Sequence, residues 1–196
     1  EYEILLGLVG SEMCIRDSSR PDETFKALDD KEYKLEKDMC VISDREGVLG
    51  LGGIIGGTKT GTQFDTSNIL LESAYFLPSS VRTTSKKLSL ETDAKFRFER
   101  GIDPNSVIEG LSVATSLILQ ICGGEASKFN VTGKKNFINK TIELDNDKFK
   151  KTIGFSISKQ ECKKILSSLG FKLKLGKKSI KAQVPSWRPD IEQDID

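Results

Sequence analysis

From Phe25 to Ile55 the apolar positions come in short runs, separated by charges and turn residues. Tyr33 and Leu35 alternate with charged neighbours after the turn residues Asp29-Asp30. Met39 to Ser43 is a short, mostly apolar run, Asp44-Arg-Glu-Gly47 is a turn, and Val48 to Leu51 is a second apolar run. Alternation and short apolar runs bounded by turns predict strands. Side chains nearly vanish in Gly52-Gly-Ile-Ile-Gly-Gly57, which predicts a bend. Ile69 to Leu71 reads as a further, buried strand that ends at Glu72.

The period then changes. Pro104 suits the first position of a helix, with Asp103 as its cap. Val107, Leu111, Ala114, Ile118 and Ile121 follow at helical spacing, and Gly123-Gly124 closes the run, so this helix is expected to be core scaffold. Asn130 to Asn139 is polar and basic without apolar periodicity and reads as a linker. Beyond it, Ser158-Lys-Gln-Glu161 is a capping box for a helix that places Cys162, Ile165, Leu166 and Leu169 on one face and stops at Gly170. Phe171 to Leu175 alternates, Gly176-Lys-Lys turns, and Ile180, Ala182 and Val184 alternate again. A helix followed by a hairpin makes a second small domain, similar to a winged-helix module.

Composition narrows the chemistry. A chain of 196 residues holds one large domain or two small ones. With 30 basic and 29 acidic side chains the net charge is only +1, so whole-chain charge gives no argument for nucleic acid. No apolar run has the length of a membrane span. The chain has no histidine, which excludes Ser-His-Asp, Cys-His and His–metal chemistry within these residues. Cys14, Cys40, Cys122 and Cys162 form no C-x-x-C pair and read as reduced thiols of a cytosolic protein.

Residues 1–18 start like a weak signal peptide but lack its basic segment, and their apolar run is short. Leu8 to Ser18 back-translates into a transposon adapter used for sequencing libraries, so residues 1–18 are read as an artefact and the rest as an internal fragment of a longer protein.

Four segments carry chemistry. In Glu91 to Pro104 three basic and four acidic side chains alternate with two Phe. Arg97 and Arg100 there suit phosphate contacts or, more commonly, ion pairs with Glu91 and Glu99. In the glycine bend, Gly53 and Gly56 bare the backbone to a ligand, although a tight strand-to-strand turn needs the same residues. Glu72 ends an apolar run, where a carboxylate is costly unless it meets a partner or a ligand. Asp190 and Asp196, behind Val184-Pro-Ser-Trp-Arg-Pro-Asp190, are carboxylates of the kind that hold Mg²⁺, or are simply solvated.

In order and spacing these segments resemble the editing domain of the bacterial phenylalanyl-tRNA synthetase beta subunit and the domain that follows it, over roughly residues 20–196. The resemblance implies an α+β fold: a mixed α/β editing domain over 19–129, a linker over 130–137, and a winged-helix-like α+β domain over 138–196. It implies hydrolysis of Tyr-tRNA(Phe), with Glu72 recognising the phenolic hydroxyl and Thr92 offering a hydroxyl to a held water. Gly53, Gly56, Asp93 and Ala94 fall on its pocket positions, and a bulky residue at Ala94 is expected to close the pocket. It further implies half of a Mg²⁺ site at Asp190 and Asp196, and a pocket histidine upstream of these residues. ATP is used by the parent enzyme and is not bound here. The implied partners are an alpha subunit, in an alpha2beta2 tetramer, and tRNA(Phe), in the cytoplasm and without a membrane.

Two rival readings stand beside it. A freestanding aminoacyl-tRNA deacylase would lack the second domain. A non-enzymatic nucleic-acid module would use Lys172, Lys174, Lys177, Lys178 and Lys181 as a basic wing, side chains that equally suit a solvated strand face.

Overall fold

The computed structural model describes residues 14–16, 18–131, 140–176 and 178–196. Most of residues 1–18, most of the linker reading and Lys177 lie outside them. The fold is α+β, with small antiparallel sheets and five helices among the described residues. The chain divides into two compact units, Glu1–Ile102 with Ser106–Lys135, and Asp103–Asn105 with Asn136–Asp196.

In the first unit, strands β1 (Cys14–Arg16), β2 (Thr24–Lys26), β3 (Glu32–Lys34), β4 (Val41–Ser43), β5 (Val48–Leu51) and β6 (Ile55–Gly56) follow in chain order. One antiparallel sheet runs β1-β4-β5-β6, and β2 pairs with β3. The Asp44–Gly47 turn closes β4 onto β5, with the Asp44 carboxylate accepting from the N–H groups of Glu46 and Gly47 at 2.8 and 3.0 Å. Phe25, Leu35, Met39, Val41 and Leu51 point inward and form one core with Ala74, Phe76, Val81 and Leu90. Ala74 and Phe76 come from a long connection, Val81 from helix α1 (Pro78–Leu88) and Leu90 from just beyond it. Helix α2 (Asp93–Phe98) follows, capped by Thr92, and then α3 (Val107–Cys122).

Three expectations change here. Residues 66–77 belong to no sheet, so the strand expected at Ile69–Leu71 is an irregular ribbon. The helix expected from Pro104 starts only at Val107, because the Asp103 carboxylate accepts from the Asn105 N–H at 2.8 Å and holds a turn instead of capping a helix. Helix α3 buries Val107 and Leu111, whereas Ile121 is 81% exposed, so only its first turns serve the core.

In the second unit, β7 (Thr141–Asp145), α4 (Asn146–Ile153), α5 (Lys159–Ser168), β8 (Lys172–Leu175) and β9 (Ser179–Gln183) build a three-stranded antiparallel sheet, in the order β7-β9-β8. Ser158 Oγ accepts from the Glu161 N–H at 3.1 Å, as the capping box predicts. Ser158→Ala is expected to cost about 1 kcal/mol in denaturant unfolding of this unit. Ile142, Leu166, Phe171, Leu173, Ala182, Val184 and Ile191 make its core. Cys162 is buried as well, but Ile165 and Leu169, expected on the same buried face, are exposed. A ten-residue helix on so small a sheet buries only the line through Cys162 and Leu166. Gly170, at φ 87°, ends the helix and carries the Trp187 ring, which would lie 2.6 Å from an added Cβ.

Candidate functional site

A cleft of about 990 Å³ lies in the first unit between the glycine bend, the irregular ribbon, α2 and the start of α3. The glycine-rich backbone makes room for it. A Cβ on Gly52 would lie 2.6 Å from Phe76 Cε1, and one on Gly53 would lie 2.9 Å from Phe76 Cδ2 and 3.1 Å from Phe98 Cγ. Gly53 is also left-handed, at φ 68°. The Phe76 and Phe98 rings meet edge to face with centroids 5.2 Å apart, and both line the cleft. These rings, missed in the sequence reading, give Gly53 a packing role beside its pocket position. Gly53→Ala therefore meets both left-handed strain and the Phe76 ring. It is expected to cost about 2 kcal/mol, measurable as a lowered denaturation midpoint at unchanged slope.

Six of the eight expected site residues belong to the first unit, and five of them line this cleft: Gly53, Gly56, Glu72, Thr92 and Ala94. Asp93 is exposed at the start of α2 and is not part of the lining. The Thr92 hydroxyl is doubly engaged, donating to the Ile54 carbonyl at 2.7 Å and accepting from the Lys95 N–H at 3.0 Å. It pins the glycine bend to α2 and would meet a ligand as an acceptor only.

Glu72 stands apart electrostatically. Its Oε1 is buried without a hydrogen-bond partner. No other ionisable side chain lines the cleft among the described residues. Burial pushes its carboxyl up from 4.5 to about 7. A lone carboxyl with no cation to offset its desolvation is an acceptor waiting for a donor.

The charged run beyond it is tied up locally. Lys95 pairs with Glu91 at 2.8 Å and Glu99 at 3.3 Å. Arg100 pairs with Glu99 at 2.9 Å and stacks on the Phe96 ring at 3.6 Å. Arg97 donates to the Asp93 carbonyl at 3.1 Å.

The remaining two expected residues belong to the second unit and do not make up a Mg²⁺ site as they stand. Asp190 accepts a forked pair from Arg188 at 2.8 and 2.9 Å. That hydrogen bond, with the guanidinium charge, holds its carboxyl below the usual range. Asp196 Oδ2 accepts from the N–H groups of Glu192 and Gln193, each at 2.8 Å. Two engaged carboxylates fall short of a hard-cation ligand set, and the described residues contain no group of three or more potential ligands. No helix of the described residues is long and apolar enough to cross a membrane.

Comparison with known proteins bears on both units. The B3/4 domain family matches residues 9–123, and the tRNA synthetase B5 domain family matches residues 142–196. The phenylalanine–tRNA ligase beta subunit of Ruegeria pomeroyi is 42% identical over 174 residues, covering 89% of this chain and 21% of that one. The one from Brucella abortus is 38% identical over 179 residues, covering 91% and 22%. The chain thus spans about a fifth of the length of the curated relatives it matches. Among solved structures, an N-terminal fragment of the phenylalanyl-tRNA synthetase beta subunit from Pyrococcus horikoshii is similar at a TM-score of 0.42 and 15% identity. That alignment covers 97% of this chain and 66% of the other.

Proposed function

The chain belongs to the phenylalanine–tRNA ligase beta-subunit family, in which it carries a B3/4 and a B5 domain, and from that premise we propose that the cleft around Glu72 hydrolyses tyrosine misattached to tRNA(Phe). The observation that carries the reading is the unpartnered, buried Glu72 Oε1 in a wall otherwise free of ionisable groups. Phenylalanine and tyrosine differ by one hydroxyl. A synthetic pocket built for an apolar ring rejects the added hydroxyl only weakly, so a second site must select for it. In the cleft the tyrosyl ring packs on Phe76 and Phe98, and its hydroxyl donates to Glu72. Ala94 leaves space for the ring.

Hydrolysis then needs a held water and a donor for the developing oxyanion. Thr92 would accept from such a water. The Gly53 N–H, which has no partner among the described residues, would serve as a donor to the oxyanion. This chain, which has no histidine, contributes to that step through positioning.

The parent enzyme, in this reading, charges tRNA(Phe) with ATP and Mg²⁺ in the cytoplasm together with an alpha subunit, as an alpha2beta2 assembly. This chain supplies proofreading and, through its winged-helix-like second domain, scaffold. The B5 match weighs against a freestanding deacylase. The test is deacylation of Tyr-tRNA(Phe) and Phe-tRNA(Phe) by the synthetase that carries this chain. Faster release of tyrosine, lost on changing Glu72, supports the reading. Equal release of both sinks it.

A further inference from the structure

Glu72 sits in a ribbon that no ladder holds. Between Ile69 and Ala74, among the described residues, one hydrogen bond reaches the rest of the fold: the Ser73 hydroxyl donates to the Val107 carbonyl at 2.8 Å. Cavities flank the ribbon on both sides. Leu70, Glu72, Ser73 and Ala74 line the cleft, Leu71 lines a second, apolar pocket of about 90 Å³ shared with Leu111, Ile118 and Phe129, and Ile69 lines both. A ribbon with space on both sides is held in depth by apolar contact, as at the buried Ala74, but contact is non-directional and leaves its rotation free. A hydrogen bond is directional and removes that freedom. Its acceptor belongs to the first residue of α3, and the Val107 side chain is buried in the first unit, so the anchor is rigid.

We propose that Ser73 is a positioning residue for Glu72: by donating to the Val107 carbonyl it fixes the ribbon's rotation and keeps the neighbouring carboxyl aimed into the cleft. Selection of the substrate hydroxyl then depends on a hydroxyl whose own proton is committed to the scaffold. The inference rests on the reading of the cleft as a tyrosyl-ester site.

The experiment is a double-mutant cycle in the whole synthetase. The kcat/KM values for Tyr-tRNA(Phe) and Phe-tRNA(Phe) deacylation are measured for the parent, Ser73→Ala, Glu72→Ala and the double variant. Ser73→Ala is expected to lower the tyrosine-to-phenylalanine ratio roughly tenfold, the scale of one hydrogen bond, and to add nothing once Glu72 is alanine. A ratio unchanged in Ser73→Ala overturns the inference, as does an equal fall for both esters or an undiminished further loss in the double variant. A ratio unchanged in Glu72→Ala overturns the reading of the cleft itself, so the two failures are told apart.

Discussion

Glu72→Ala is expected to lower hydrolysis of the tyrosyl ester on tRNA(Phe) about a hundredfold, because a hydrogen bond to a charged group contributes about 1.5–3 kcal/mol. The phenylalanyl ester has no hydroxyl to lose, so its rate should move far less and the ratio of the two should collapse. The pH dependence follows from the raised carboxyl. Burial lifts Glu72 to about 7, so the group is largely neutral at pH 6 and largely ionised at pH 8. A carboxylate accepts more strongly than a neutral carboxyl, so the parent's tyrosine-to-phenylalanine ratio should rise between those values. Taking the ratio removes the common acceleration of ester hydrolysis by hydroxide. In Glu72→Ala the ratio should be flat across the same range. A steep pH dependence that survives in the variant would place the titrating group elsewhere.

Glu72→Gln is expected to stabilise the first unit by about 3 kcal/mol at pH 8 and to change little at pH 4. The carboxyl titrates near 4.5 in the unfolded chain and near 7 in the fold, and each pKa unit corresponds to about 1.4 kcal/mol. Between those values the folded state binds more protons than the unfolded one, so stability falls as pH rises. The penalty is absent below the unfolded value and complete once pH exceeds the folded one. This is the reverse of the common case, in which a paired carboxylate is lowered and stability is lost in acid. Glutamine keeps the volume and removes the charge. Denaturant melts of parent and variant at pH 4, 6 and 8 give the curve directly. Parallel curves would mean that Glu72 finds water or a cation in solution. A gain in stability joined to a loss of hydrolysis is the expected mark of a group kept in an unfavourable setting for its function.

The short strands around the glycine bend were legible because their cause is local. Turn chemistry at Asp44–Gly47 and the apolar runs on either side specify β4 and β5 without reference to the rest of the chain. The Ser158 cap and the alternation of β8 and β9 were legible for the same reason. The irregular ribbon was not. Ile69–Leu71 has the composition of a buried strand, but a strand exists only where a neighbour takes its backbone groups, and that depends on distant residues. Asp103-Pro104 has the look of a helix start, yet a turn between carboxylate and backbone competes for the same groups and wins.

The site divides along the same line. Sequence by itself determined which residue types were present: a carboxylate closing an apolar run, glycines in a bend, a small residue at Ala94, and no histidine. Those choices depend only on side-chain chemistry. Tertiary structure decided which of them meet. It brought Gly53, Gly56, Glu72, Thr92 and Ala94 to one cleft, left Asp93 outside it, and committed the Thr92 proton to Ile54. It also stripped Glu72 of partners, because whether a buried carboxyl finds a cation depends on what the fold packs against it, and no spacing along the chain encodes that.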